Sequence, residues 1–345
     1  MAAELRRDGV TVHEWDATDI VGAPKDRIAP SDDDLPGSPL IVAINPDVAV
    51  HVLARLGRKR LAGRRVIGFW VWELDRLAPS WKVGAGWINE IWTPSSYSAA
   101  AMAAFGVPVV VTPHPIALAD AAPLPSREQA RRALDFPAHA FVASSSFSLA
   151  SSLDRKNPMA AIAAFEQAFE AVPAQDALLV LRCLEADRYP TAWRALQLAV
   201  AQARSRRVRL LDPPGGIDTL RALYGASDCY ISLHRAEGFG LNLAEAMAAG
   251  VPVIATGASG NLEFMTADCA MLVPATLRPA RDAFGPYSVA GARWAEPDVG
   301  TASAMLRAAA GDIGRLRTLG AAGRAHVLAA LQGGAAARAL SMEVQ

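Results

Sequence analysis

The sequence predicts an α/β protein of two domains, each built around a mostly parallel sheet. Three observations predict it. Short β-branched runs alternate with longer amphipathic stretches, the pattern of strand–helix–strand units. The chain has 345 residues, too many for one ordinary core and well matched to two. A stretch over 116–139 carrying Pro123, Pro125 and Pro137 separates the halves, so the expected domains are 1–120 and 121–345.

The expected strands of the first half are 10–15, 40–44, 66–69, 90–93 and 109–112. Those of the second are 141–145, 178–181, 208–211, 229–233, 252–255 and 270–273. Between them, 160–172 sets Ile162, Phe165 and Phe169 at helical spacing, and 191–204 and 219–226 behave alike. Residues 301–331 read as one or two closing helices. Ser126 followed by Gln129 three positions on forms a capping box that opens a short helix at the boundary. A Rossmann-like half normally opens with a strand, a tight glycine turn and a helix. Here 1–7 reads as a helix end stopped near Gly9, so the first domain is expected to lack its first strand and glycine loop, leaving a sheet edge exposed.

Composition narrows the function classes. Hydrophobic residues make up 52% and charged ones 20%, an ordinary folded-domain balance. Lysine plus arginine equals aspartate plus glutamate at 34 each, so the net charge is zero and no long-range field favours a nucleic-acid partner. Cys183, Cys229 and Cys269 are odd in number and lie in apolar runs, as buried thiols of a reducing compartment do. The N-terminus is charged from Glu4 onward and has no apolar signal core. The run 41–56 is interrupted by Asn45, Asp47 and His51, so no transmembrane segment is expected. These features place the chain in the cytoplasm, at most peripheral to the inner membrane.

The most informative segment is 235–257, RAEGFGLNLAEAMAAGVPVIATG. A strand ends near Leu233. Gly238 and Gly240 allow a tight turn and a close approach to a ligand. A helix follows from Leu241, stopped by Gly250. Unsatisfied N–H groups at its start, together with the helix dipole, favour phosphate. Glu237 and Glu245 add carboxylates suited to hydrogen-bonding sugar or ribose hydroxyls. A bare Gly-x-Gly is a weak signal, and Glu245 alone reads equally as a solvated helix residue.

The whole run closely resembles the donor-site motif of the retaining glycosyltransferases of the GT-B fold, family 4 (glycosyl transferases group 1): a Glu, seven residues and a second Glu, within Glu-Gly-Phe-Gly-Leu, Glu-Ala-Met-Ala and Gly-x-Pro-Val-Ile. The resemblance implies two Rossmann-like domains facing a cleft. Glu237 would face the transferred sugar, the amides of Phe239, Gly240 and Leu241 would hold the diphosphate, and Glu245 would bind the ribose. In the family a glycine-rich loop ending in Glu lines the donor pocket next, and Gly260, Asn261 and Glu263 are its counterparts here. Family members carry an Arg and a Lys before the second domain's first long helix, where they neutralise the diphosphate. Lys156 matches the Lys. The usual Arg position falls at Ala150 or Ser151, and Arg155 is expected to substitute.

In the first half, Trp70, Trp72 and Trp81 cluster after a strand with Glu73 and Asp75 among them. Aromatic faces beside carboxylates suit stacking on sugars, and a core cluster is an equal alternative. This run, with 90–96 and Pro113-His114-Pro115, resembles a family 4 subset with a Trp-Glu signature, which puts Trp72, Glu73 and His114 on the acceptor side. A catalytic His common in the family has no obvious counterpart, and a lone His114 is more readily structural. Asp32-Asp33-Asp34 contains an Asp-x-Asp but no strand leads into it, so it reads as a solvated acidic turn. No metal-ligand spacing occurs and no cofactor is expected.

The function implied is transfer of a sugar from a nucleotide-diphosphate sugar to a glycan or lipid-linked sugar acceptor, with retention and without metal. Two alternatives stand beside it. One is a nucleotide-sugar epimerase of the same fold. The other is a catalytically weak or inactive binding or partner subunit, motivated by the missing strand.

Overall fold

The computed structural model describes residues 1–17, 37–116, 123–171, 176–203, 207–331 and 333–342. Its strands form where consecutive apolar residues run between turn residues. In the first half these are β1 (Leu40–Val42), β2 (Val66–Phe69), β3 (Glu90–Thr93) and β4 (Val109–Val111), which pair in parallel in the order β1-β2-β3-β4. In the second half β5 (Phe141–Ser148), β6 (Ala177–Leu184), β7 (Val208–Leu210), β8 (Cys229–Ser232), β9 (Val253–Thr256) and β10 (Met271–Val273) form a parallel sheet in the order β10-β9-β8-β5-β6-β7. Both are Rossmann-like arrangements of parallel strands and crossover helices.

The second sheet is covered on both faces, and its side chains alternate between two cores. Phe141, Ala143 and Phe147 of β5 and Cys229, Ile231 and Leu233 at β8 join one core, which helix Pro158–Phe169 completes. Tyr230 of β8 and Val253 and Ala255 of β9 join the other, with helix Leu241–Ala248. The three cysteines are buried free thiols, and burial pushes Cys183 up to about 12.

The chain runs β5 to β6 to β7 in one direction, then returns to place β8 on the other side of β5. The strand order therefore reverses between β5 and β8. In open parallel sheets, ligands bind beyond the carboxyl ends of the strands at such a reversal.

Several elements differ from the sequence expectation. Residues 10–15 are not a strand: Val10 and Val12 pack on the core of the first sheet, beside Leu5, Ile67, Phe69 and Trp92, but the Arg6 guanidinium donates to the Val12 carbonyl at 3.0 Å and pairs with Glu14. In keeping with the expected one or two closing helices, residues 301–331 fall in two, Val299–Gly311 and Ile313–Ala330, with Asp312 capping the second by accepting from Arg315 N at 2.9 Å. An antiparallel hairpin of β11 (Ala275–Pro279) and β12 (Arg293–Pro297) was not anticipated. Neither was the helix Ala335–Ser341. The predicted capping box is present at Ser126 and Gln129.

The chain divides into Met1–Pro115 with Gln332–Gln345, and Ile116–Leu331. The expected split into 1–120 and 121–345 thus moves a few residues and loses its tail to the first unit. The cause is a latch. Arg65 donates to the carbonyls of Leu340 and Ala339 at 2.8 and 3.0 Å, at the dipole-negative end of helix Ala335–Ser341, and pairs with fully buried Glu90 at 2.7 Å. Glu4 Oε1 accepts from Gly334 N at 2.9 Å at the other end of that helix.

Removing one partner of a buried ion pair strands the other. Arg65→Ala is expected to cost about 3 kcal/mol of first-unit stability, and adding Glu90→Gln should recover part of it. Tryptophan fluorescence during urea unfolding measures this, since Trp15, Trp70, Trp72, Trp81, Trp87 and Trp92 of the chain's eight tryptophans lie in that unit.

Candidate active site

The carboxyl ends of β5 and β8 carry a pocket lined by Ser145, Ser146, Phe147, Lys156, Tyr230, Ser232, Glu237, Gly240, Asn242 and Leu243. It occupies the strand-order reversal. Of its lining side chains, only Lys156 and Glu237 are charged.

Glu237 is 7% exposed. Lys156 Nζ donates to its Oε1 at 2.5 Å, and Arg155 Nη1 to its Oε2 at 3.2 Å. Burial alone drives the carboxyl upward, but Lys156 and Arg155 outweigh it and hold Glu237 at about 2. The local charge from these three ionised groups is two cations against one carboxylate, +1, which suits an anionic ligand.

The two basic residues divide their tasks. Lys156 lines the pocket. Arg155 does not substitute at the pocket wall as expected: it is 2% exposed and donates to the carbonyls of Ala236 at 2.8 Å and Ser151 at 3.0 Å as well as to Glu237. It holds the carboxylate from behind. Both lie on the short helix Leu153–Lys156, capped by Ser152, whose hydroxyl accepts from Arg155 N at 3.3 Å. Asn157 then takes a left-handed conformation, and its amide donates to Leu233 O at 3.0 Å, so helix Pro158–Phe169 starts against the end of β8.

The loop after Glu237 is built on close backbone contact. Gly240 sits at the N-cap of helix Leu241–Ala248 with φ +93 and no side-chain cap. The first N–H groups of a helix have no intrahelical carbonyl to bond. Gly238 is buried, Phe239 packs on Phe264 at 4.9 Å between ring centroids, and Leu241 is 41% exposed. Gly260 donates its N–H to Glu237 O at 2.8 Å, and a Cβ on it would meet Gly238 O at 2.2 Å. Ser259 Oγ accepts from Glu237 N at 2.9 Å while holding φ +74. Ser152, Asn157 and Ser259, all non-glycine residues with positive φ, frame the site, where backbone strain tends to gather.

Asn261 is fully buried and donates to Thr256 O at 3.0 Å, which turns its Oδ1 towards His234 Nε2 at 3.1 Å. His234 Nδ1 lies 3.1 Å from the Ser232 hydroxyl. Burial pushes this fully enclosed imidazole down, so it stays neutral and ties the Gly260 loop to the end of β8. Sequence reasoning missed His234. Its only signal was its place between a strand end and Arg235. Asn242, whose amide donates to Ser146 O at 2.6 Å, was also missed.

Glu245 and Glu263 are half-buried. Burial raises the Glu245 carboxyl against the pull of Arg182, which is itself 5% exposed and anchored on Pro214 O and Gly215 O, each at 2.7 Å.

The residues expected on the acceptor side lie in the first unit. Trp72 is 3% exposed, with its ring 4.6 Å from that of Trp81 and its N–H on Arg76 O at 2.7 Å. The tryptophan cluster is therefore core, not an open stacking face. Glu73 is half-buried, and its carbonyl accepts from the Tyr97 hydroxyl at 3.4 Å. His114 packs edge-on to Phe69 at 5.1 Å, and burial lowers it to about 4. Asp32-Asp33-Asp34 lies outside the described residues. Among the described residues, no group of three or more His, Cys, Asp or Glu side chains could hold a metal ion, and no helix is long and apolar enough to cross a membrane.

Residues 147–281 match the family described as Glycosyl transferases group 1, a span that covers Arg155, Lys156, Glu237, Glu245 and the Gly260 loop. Solved structures align over most of the chain. The Anabaena protein Alr3699/HepE in complex with UDP and glucose is 17% identical, with 87% of this chain and 77% of that one covered at a TM-score of 0.62. Sucrose-phosphate synthase from Thermosynechococcus elongatus is 20% identical, with 87% and 73% covered at 0.63. This is the GT-B fold of glycosyltransferases. A search of curated protein sequences gives no match.

Two outcomes follow from this geometry. Gly260→Ala is expected to cost about 1–3 kcal/mol, because the methyl must displace the Gly238 backbone, whereas Gly311→Ala, which meets nothing within 4 Å, should not destabilise. Thermal unfolding separates them. Because the folded Glu237 carboxyl lies below its ordinary 4.5, its ionisation contributes stability above that value and loses it as pH falls towards about 2. Denaturant unfolding across this window should therefore show wild type losing its advantage over Glu237→Gln.

Proposed function

We propose that the chain transfers a sugar from a nucleotide-diphosphate sugar to a glycan or lipid-linked acceptor, with retention of configuration and without a metal ion. The observation that carries this reading is the pocket at the β5–β8 reversal, where Lys156 and Glu237 meet the glycine-capped start of helix Leu241–Ala248. The family match over the same residues supports it, as does the UDP and glucose bound by the Anabaena protein of the same fold.

In this reading the diphosphate rests against the N–H groups of Phe239, Gly240 and Leu241 and against Lys156. Charge develops on that diphosphate as the glycosidic bond to the nucleotide breaks. Fixed dipoles and a placed cation stabilise it without reorganisation. Glu237, fully ionised and held by Arg155, accepts hydrogen bonds from hydroxyls of the transferred sugar, with the Gly260, Asn261 and Glu263 loop beside it. Glu245 accepts from the ribose. The first unit, with Glu73 and His114, takes the acceptor. The reaction belongs to the cytoplasm, peripheral to the inner membrane where the acceptor is lipid-linked.

Calorimetry and thermal shift against GDP, UDP, ADP and their sugars test the reading. One nucleotide should stabilise the protein by about 2.7 kcal/mol at a hundredfold excess over its Kd, and Glu245→Ala should abolish that. Lys156→Ala should weaken diphosphate binding. Glu237→Ala should keep nucleotide binding and lose transfer. Product NMR should show the donor's anomeric configuration, and EDTA should leave turnover unchanged. Binding of no nucleotide would overturn the donor site and favour a binding or partner subunit.

A further inference from the structure

The hairpin β11–β12 and its connection leave the second unit's main sheet and return to the Glu237 site. Their contacts there are polar and specific. Asp282 Oδ1 accepts from the Ser152 hydroxyl at 2.6 Å, and this is the same hydroxyl that caps the Leu153–Lys156 helix. The second oxygen of Asp282 accepts from Tyr287 N at 3.1 Å, so the connection folds around this carboxylate. Asp154 Oδ2 accepts from Ala283 N at 2.7 Å. Tyr287 is 7% exposed, and its ring lies 4.9 Å from the Arg155 guanidinium. On β12, Glu296 pairs with Arg235 at 2.6 Å, Trp294 lies under the same guanidinium at 5.3 Å, and Ala295 N donates to Arg235 O at 2.8 Å. Arg235 in turn donates its N–H to Arg155 O at 2.8 Å.

A guanidinium that is 2% exposed must be oriented by what surrounds it. Three acceptors, Ser151 O, Ala236 O and Glu237, define its edge. The Tyr287 ring covers its face, an arrangement that attracts a cation most strongly when it is desolvated. The family match ends at residue 281, so Asp282, Tyr287 and Glu296 lie beyond it.

We infer that Tyr287 is a positioning residue of the site: its ring, carried on a backbone that Asp282 anchors, fixes the Arg155 guanidinium and through it the Glu237 carboxylate. The inference rests on the sugar-transfer reading only for its kinetic consequence. If Glu237 contacts the sugar and not the diphosphate, loosening Arg155 slows transfer while leaving nucleotide affinity alone.

The test compares Tyr287→Leu, Tyr287→Phe and Leu277→Ala, the last on the 59% exposed outer face of the same hairpin. Tyr287→Leu should lower kcat about tenfold, with the Kd of the nucleoside diphosphate unchanged within about twofold. Tyr287→Phe should restore kcat, and Leu277→Ala should match wild type. A second measurement needs no turnover. Thermal unfolding midpoints of Tyr287→Leu, Glu237→Gln and the double variant should be non-additive, because both changes act on one guanidinium. Additive midpoints overturn the inference. So does a loss of kcat and nucleotide affinity together that Tyr287→Phe fails to restore. Non-additive midpoints in a protein that binds no nucleotide sustain the positioning role and sink the transfer reading instead.

Discussion

A buried carboxylate that must stay ionised governs the second unit. Glu237 is nearly enclosed, and an unpaired charge there would cost several kcal/mol. Lys156 and Arg155 remove that cost only if both loops that carry these residues are fixed against each other. The backbone does so directly: Arg235 N bonds Arg155 O, and Gly260 N bonds Glu237 O. The strained residues at the site are the places where the chain bends to make those bonds. Ser152 opens the helix of Lys156, Asn157 closes it, and Ser259 receives the Glu237 N–H. Their backbone strain and the ion pair are parts of one arrangement.

The parallel sheets and the site motif were legible in the sequence because each is local. Buried strands such as β8 and β9 read as short, mainly apolar runs, and the glycines at 238 and 240 stand a few residues from the carboxylates at 237 and 245. The unanticipated elements depend on distant partners. Helix Ala335–Ser341 is an alanine-rich tail until Arg65, 275 positions before Leu340, donates to the carbonyls at its C-terminal end. The β11–β12 hairpin has an exposed Leu277 and prolines at both strand ends, so it lacks the clean alternation that marks a strand.

The tryptophan cluster shows the same limit in the first unit. Trp70, Trp72 and Trp81 beside Glu73 and Asp75 carry the composition of a sugar platform, and composition cannot tell a wet aromatic face from a dry one. Two hydrogen bonds decide it. The Trp72 indole N–H is taken by Arg76 O, and the Trp72 carbonyl is taken by the Ser98 hydroxyl at 2.5 Å. A tryptophan held at both its indole N–H and its backbone carbonyl, packed against Trp81 and only 3% exposed, has no surface left for a ligand.

Adjacent residues of like charge usually compete, yet Arg155 and Lys156 do not, because their side chains reach opposite oxygens of one carboxylate. Arginine suits the inner place: its planar fork satisfies two backbone carbonyls and the carboxylate at once, stays charged when enclosed, and sits over the Tyr287 ring. Lysine suits the outer place, where a compact ammonium on a flexible stem can share itself between Glu237 and an arriving anion. Exchanging the two would bury a group that loses its proton readily and expose one that needs a rigid cradle. The pair is thus ordered by chemistry: the inner cation keeps the carboxylate ionised, and the outer one leaves the pocket with positive charge to offer.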